Sequence, residues 1–136
     1  MYNYPMRLNL ARGLIGLTIL WNLQAALVFL LWPDRYSAAY ELQGTVGAAT
    51  LRGIGVLFLM WNVPYLVALW HPVRHRISLY EALAMQSIGL VGEGIIYLTI
   101  PAIHAALRAS VYRFIVFDAL GLVLLLVATW ITRKEQ

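Results

Sequence analysis

The chain has 136 residues, of which 62% are hydrophobic and only 12% charged; it carries no cysteine and a formal net charge of +4. An ordinary soluble domain is about one quarter charged, and one this small has too little interior to hide so much apolar surface. Lipid is therefore the expected solvent, which excludes an extracellular disulfide scaffold, a disordered tail, a soluble multidomain enzyme and chemistry that needs a thiolate.

Crossing about 30 Å of hydrocarbon takes roughly 20 helical residues, and four apolar stretches are long enough. The first runs from Leu8 to Trp32 and is closed by Pro33. It is too long for a signal peptide and has no small-residue cleavage site before Trp32. From Pro33 to Gly47 a short amphipathic helix is expected on the outer surface. Asp34 would be its N-cap, Tyr36, Ala39 and Tyr40 would share a face, and Gly44 would close it. The second span runs from Ala48 to Trp70, with Pro72 just beyond. The third runs from Ser78 to Ile100, with Pro101 beyond, and the fourth from Ser110 to Thr132. Bare backbone cannot be satisfied in lipid, so each span must be a helix. The expected fold is all-α: one integral membrane domain over residues 1–136, a bundle of four transmembrane helices.

Nine of the ten basic residues are Arg, set singly or in pairs at the ends of apolar runs. That is the pattern of a membrane protein rather than the stripe of a nucleic-acid binder. With four crossings both termini share a side, which holds Arg7, Arg12, Arg74, Arg76, Arg133 and Lys134. The opposite side holds Arg35, Arg52, Arg108 and Arg113. The bias places both termini in the cytoplasm. Trp32, Trp70, Trp130, Tyr80 and Tyr112 fall near the boundaries, as an aromatic belt would.

Spans one and two share an internal repeat. Arg12-Gly13 is followed by Trp21-Asn22, and forty positions later Arg52-Gly53 is followed by Trp61-Asn62. Consecutive helices run in opposite directions, so this is a small inverted repeat. Asn22 and Asn62 fall near the bilayer midplane, where each needs a hydrogen-bond partner and the other Asn is the simplest one. Pro64 leaves the Met60 carbonyl without its helical donor and is expected to bend the second helix.

Charges inside the spans are functional candidates because lipid makes them expensive. Glu93 lies about 10 Å inside the outer end of span three at 1.5 Å per residue, and Asp118 lies at a similar depth in span four. Ala82, Gln86, Gly89, Glu93 and Tyr97 share one helical stripe; Asp118, Gly121, Leu125 and Ala128 share another. Arg52 enters from the same outer side, so Arg52, Glu93 and Asp118 are expected to form a buried polar cluster. Arg12 and Glu81 are expected to form a second one at the cytoplasmic side. Both admit a structural ion pair; the first also admits a pocket for a quinone head group, a proton or a small solute.

None of the three histidines falls within a span, so imidazoles do not face each other across the bundle as a held haem requires. The Arg74-His75-Arg76 triplet is expected to anchor anionic lipid head groups. No phosphate loop, zinc helix or nucleophile elbow is present.

The Arg-Gly opening of the first span, its Trp-Pro exit, the Ala-Ala-Thr-Leu-Arg-Gly-Ile-Gly segment from Ala48 to Gly55, and Phe117-Asp118-Ala119-Leu120 together resemble the DoxX-like group of small four-helix bacterial membrane proteins. The resemblance extends over nearly the whole chain. It implies a partner of a membrane oxidoreductase, such as a thiosulfate:quinone enzyme, and brings no catalytic motif to particular residues. The Trp61-Asn62-Val63-Pro64-Tyr65 segment has no counterpart in that pattern.

The expected function is that of a non-catalytic accessory or structural subunit of a bacterial membrane complex, respiratory or photosynthetic. It would sit in the inner (cytoplasmic) membrane, with the bilayer and other integral subunits as partners and no nucleic acid. The alternative is a small transporter or quinone-binding oxidoreductase subunit that uses Glu93 and Asp118. No resident cofactor or metal is expected. Quinone, or haem or chlorin through His71, are the alternatives on that side.

Overall fold

The computed structural model describes residues 4–133, so Lys134 lies outside the described residues. Four long helices make up most of it: α1 (Tyr4–Leu31), α3 (Gly44–Trp70), α4 (Arg76–Thr99) and α5 (Ala105–Arg133). Between α1 and α3 a short helix, α2 (Pro33–Ser37), runs into a single 3-10 turn at Ala38–Tyr40. Each long helix is long and apolar enough to cross a membrane. Leu, Ile and Val dominate the large apolar side chains left exposed. The fold is an all-α bundle of four apolar helices.

The helices outrun the expected spans where nothing in the sequence stops them. α3 begins at Gly44 rather than Ala48, and α5 at Ala105 rather than Ser110; for α5 the Ala-rich lead-in Ala105-Ala106-Leu107-Arg108-Ala109 keeps the helix going beyond the apolar run. α1 ends at Leu31 because Pro33 disfavours helical geometry at the residue before it. Trp32 accordingly sits at φ −131°, ψ 51°.

α1 packs against α3 and α5, and α4 packs against α5 and α3, which leaves α1 and α4 on a diagonal. Sequence neighbours are antiparallel, so the two ends of the bundle differ. One end, the terminal end, carries the start of α1, the end of α5 and the α3–α4 turn. The other, the loop end, carries α2 and the α4–α5 turn. Ala11, Ile15, Leu79, Leu125 and Ala128 have no exposed surface and form a core with Tyr65, Ala68 and Ala82. All of these belong to the terminal half.

Arginines close the helix ends. Arg12 Nε donates to the Leu69 carbonyl at 3.1 Å, and an Arg76 guanidinium nitrogen donates to the Thr132 carbonyl at 2.9 Å. Arg108 donates to the Ile100 carbonyl at 2.5 Å and lies over the Tyr97 ring, 4.2 Å from its centroid. Each cation meets carbonyls at a helix C-terminus, which lack helical donors and carry the negative end of the dipole.

The loop between α1 and α3 departs from the sequence expectation in two ways. Asp34 is not the cap: Trp32 holds the N-cap position without a side-chain bond, and Pro33, which needs no donor there, opens α2. Gly44, at φ 63°, opens α3 instead of closing the short helix, which ends at Glu41 with φ 55°. The Tyr36–Tyr40 face is the inner one: both rings meet Phe29 of α1, at centroid distances of 6.3 and 5.6 Å, in the edge-on arrangement that aromatic rings favour.

Candidate functional site: a polar-floored cavity in the loop half

Above the packed core the four helices separate around a cavity of about 250 Å³. Its aromatic walls are Trp21 from α1, Phe58 and Trp61 from α3, and Phe114 and Phe117 from α5. Its polar groups are Asn22, Glu93 and Asp118. Ile88, Ile96 and Phe117 line it and are also exposed, so its rim lies on the apolar outside of the bundle. Towards the loop end it is closed by a cluster of rings, most of them edge-on or tilted to one another. Phe29, Phe58, Phe114 and Tyr40 touch one another at centroid distances between 5.6 and 6.3 Å. Burial pushes the Tyr40 hydroxyl up to about 12, against the pull of nearby Arg113, so this stopper stays uncharged.

Asp118 is fixed by a chain of hydrogen bonds that crosses three helices. Trp61 Nε1 donates to the Tyr65 hydroxyl at 3.0 Å, and that hydroxyl donates to Gln86 Oε1 at 2.5 Å. Gln86 Nε2 then donates to Asp118 Oδ1 at 2.9 Å. Tyr65 and Gln86 are almost wholly buried, so the central link is shielded from competing water, while the two outer links are partly buried. Two glycines make the approach feasible. A Cβ on Gly89 would stand 2.5 Å from Asp118 Oδ2, and one on Gly121 would stand 2.7 Å from Gln86 Nε2. Asp118 therefore rests against Gly89, one helical turn inward of Glu93.

Two polar atoms at the cavity are left over. Asn22 Nδ2 and Glu93 Oε2 are buried and have no hydrogen-bond partner. Each such group costs about 1–3 kcal/mol, more when charged. Among the described residues no basic side chain forms an ion pair with Glu93 or Asp118, and none lines the cavity.

The expected site residues separate as follows. Glu93 and Asp118 come together on the cavity wall, with Gln86 below them. Arg52 does not join them: it is exposed. It lies six residues before Phe58, which at about 100° per residue turns it roughly 120° off the cavity face. Arg12 and Glu81 do not pair either, because α1 and α4 occupy the diagonal; Arg12 binds the end of α3, and Glu81 is exposed. Asn22 and Asn62 make no bond to each other. Asn22 faces the cavity, while Asn62 Nδ2 turns back to the Phe58 carbonyl at 2.7 Å and leaves Asn62 Oδ1 buried and unpaired.

In the Arg74-His75-Arg76 triplet only Arg74 is exposed. Arg76 is held by Thr132, and the His75 ring lies beside Trp70. His71 caps α3 and accepts the Arg74 backbone N–H at 3.1 Å. His104 pairs with Glu41 across the loop end at 2.5 Å.

Sequence reasoning did not find Tyr65 or the Trp61–Tyr65–Gln86–Asp118 chain. The signal was present in Trp61 and Tyr65, four apart on one face of α3, with Gln86 facing them on the stripe of α4. Compared with family models, curated proteins and solved structures, the chain matches none.

Proposed function

We propose that this chain is a non-catalytic membrane subunit that holds a small lipid-soluble molecule in the loop-half cavity. The observation that carries this reading is the pair of buried, unpartnered atoms, Asn22 Nδ2 and Glu93 Oε2, facing a cavity walled by aromatic rings. A bundle serving only as scaffold gains nothing from that arrangement. Packing side chains into the space and replacing both polar groups would stabilise it. The rim of exposed Ile88, Ile96 and Phe117 suits access from the acyl-chain region.

The resemblance to DoxX-like proteins supports a place beside a membrane oxidoreductase in the bacterial cytoplasmic membrane. The Arg bias supports both termini on the cytoplasmic side. Reporter fusions at Thr45 and after the last residue test the orientation; Thr45 on the cytoplasmic side would reverse it. The test of function is purification in native lipid, followed by mass spectrometry of what stays bound. A retained organic molecule is expected, lost when Ala25→Phe fills the cavity without touching the hydrogen-bond chain. Identical small-molecule content in both preparations would overturn the reading.

A further inference from the structure

We infer that the occupant of the cavity is a monovalent organic cation: a protonated amine on an aromatic or aliphatic body. The inference rests on the reading of the cavity as a binding site and names the class of ligand. Two carboxyl groups, Glu93 and Asp118, share the cavity with five aromatic rings and, among the described residues, no basic side chain. Ring faces carry the negative side of the aromatic quadrupole, so walls and floor favour positive charge. Walls of this kind suit an ammonium, and the attraction grows when water is excluded.

The polar atoms refine the class. Asp118 Oδ1 is already occupied by the Gln86 amide. Glu93 Oε2 has no donor, so an N–H of the ligand completes it, which favours a protonated amine over a quaternary one. Asn22 Nδ2 has no acceptor, so an ether, hydroxyl or carbonyl oxygen on the same molecule completes that. A neutral quinone supplies acceptors only. It would meet Asn22, and a protonated Glu93 could donate to it, but it brings no positive charge to the two carboxyl groups or to the ring faces.

The experiment uses the full chain in nanodiscs of zwitterionic lipid, with empty discs as the partition control. Calorimetric titration compares phenoxyethylammonium with phenyl propyl ether, in which a methyl group replaces the ammonium, and with a short-chain benzoquinone. The cation is expected to bind about tenfold or more tightly than the ether. Glu93→Gln, which keeps shape and removes charge, should abolish that preference. Asp118→Asn, which keeps the acceptor for Gln86, should weaken cation binding to a lesser degree, and circular dichroism checks that both variants are folded. Ether binding as tight as the cation's, or a cation affinity unaffected by Glu93→Gln, would overturn the inference. Quinone binding without cation binding would overturn it too, yet leave the cavity a binding site. Failure of all three probes, with nothing retained in the native preparation, would remove both.

Discussion

The two halves of the bundle are built from the same four helices and solve different problems. In the terminal half Ile15, Leu79 and Leu125 fill the space between helices brought close by Ala11, Ala68, Ala82 and Ala128. In the loop half the helices stand around open space, and two polar atoms lack partners. In lipid, packing and interhelical hydrogen bonds hold helices together, because hydrocarbon offers no hydrophobic drive. The terminal half can thus supply the stability that lets the loop half stay open. Its upper boundary is the Tyr65–Gln86 layer, where the packed core ends and the polar chain to Asp118 begins.

The largest test of this division is a truncation on each side of that layer. Leu125→Ala removes a side chain with no exposed surface from the packed half and should lower unfolding stability in detergent by about 2–5 kcal/mol. Ile88→Ala, at the rim of the cavity and 68% exposed, should change it by no more than about 0.5 kcal/mol. Equal losses at the two positions would mean that the halves do not differ in kind.

The boundary itself should come next in size. Gln86→Leu keeps the volume but leaves Asp118 Oδ1 without its donor and Tyr65 without its closest acceptor. Reversible unfolding should register about 1–3 kcal/mol for such stranded groups. Tyr65 retains a second acceptor, the Ala82 carbonyl at 3.2 Å, so the loss belongs mainly to Asp118. Gln86→Glu removes the amide donor and sets a second carboxyl against Asp118, so it should cost more than Gln86→Leu. The reverse order would show that the introduced carboxyl stays protonated and donates to Asp118 in place of the amide.

How far the sequence spoke for each half follows the same division. Helix number, the stripe through Ala82, Gln86, Gly89 and Glu93, and the stripe through Gly121, Leu125 and Ala128 were legible, because period and small residues along a helix are local properties. That Glu93 and Asp118 share a wall followed from a short connection between α4 and α5. Which Arg reaches which acid was not legible. Arg12, Arg76 and Arg108 find helix C-termini instead of carboxylates, and depth along a helix says nothing of angle around it. Arg52 failed on angle; Arg12 and Glu81 failed on the ring order of the helices, which depends on contacts between faces far apart in sequence. The cavity was not legible either, since empty space has no residue code.

At the loop end the contact between Glu41, just after the 3-10 turn, and the α4–α5 turn is a smaller effect. His104 and Glu41 are partly exposed, at 46% and 35%, and exposed pairs contribute about 0–1 kcal/mol with screening by salt. His104→Ala should therefore alter stability by less than about 1 kcal/mol at low salt and less again in molar salt, measured by the same unfolding assay. A large loss would mean that the aromatic stopper beneath, Tyr40 on Phe29 and Phe114, depends on this pair for its position.

The smallest expected effect separates the two copies of the internal repeat. Trp21 and Trp61 keep equivalent roles, since both line the cavity, but Asn22 and Asn62 have diverged. Asn62 spends its amide on its own helix and holds an unpaired oxygen in the packed interior, whereas Asn22 presents an unpaired donor to the cavity. A bond between them would contribute about 0.6–2 kcal/mol of coupling. Without one, Asn22→Leu and Asn62→Leu should add independently, and their double-mutant cycle should close to within about 0.3–0.5 kcal/mol. Asn62→Leu also removes a buried orphan acceptor, so stability should hold or rise slightly, with binding in the cavity unchanged. Asn22→Leu should leave stability equally untouched and weaken retention of the bound molecule, because it removes a donor that only a ligand can satisfy. A coupling near 1 kcal/mol would restore the symmetric pair and assign Asn22 to the scaffold rather than to the site.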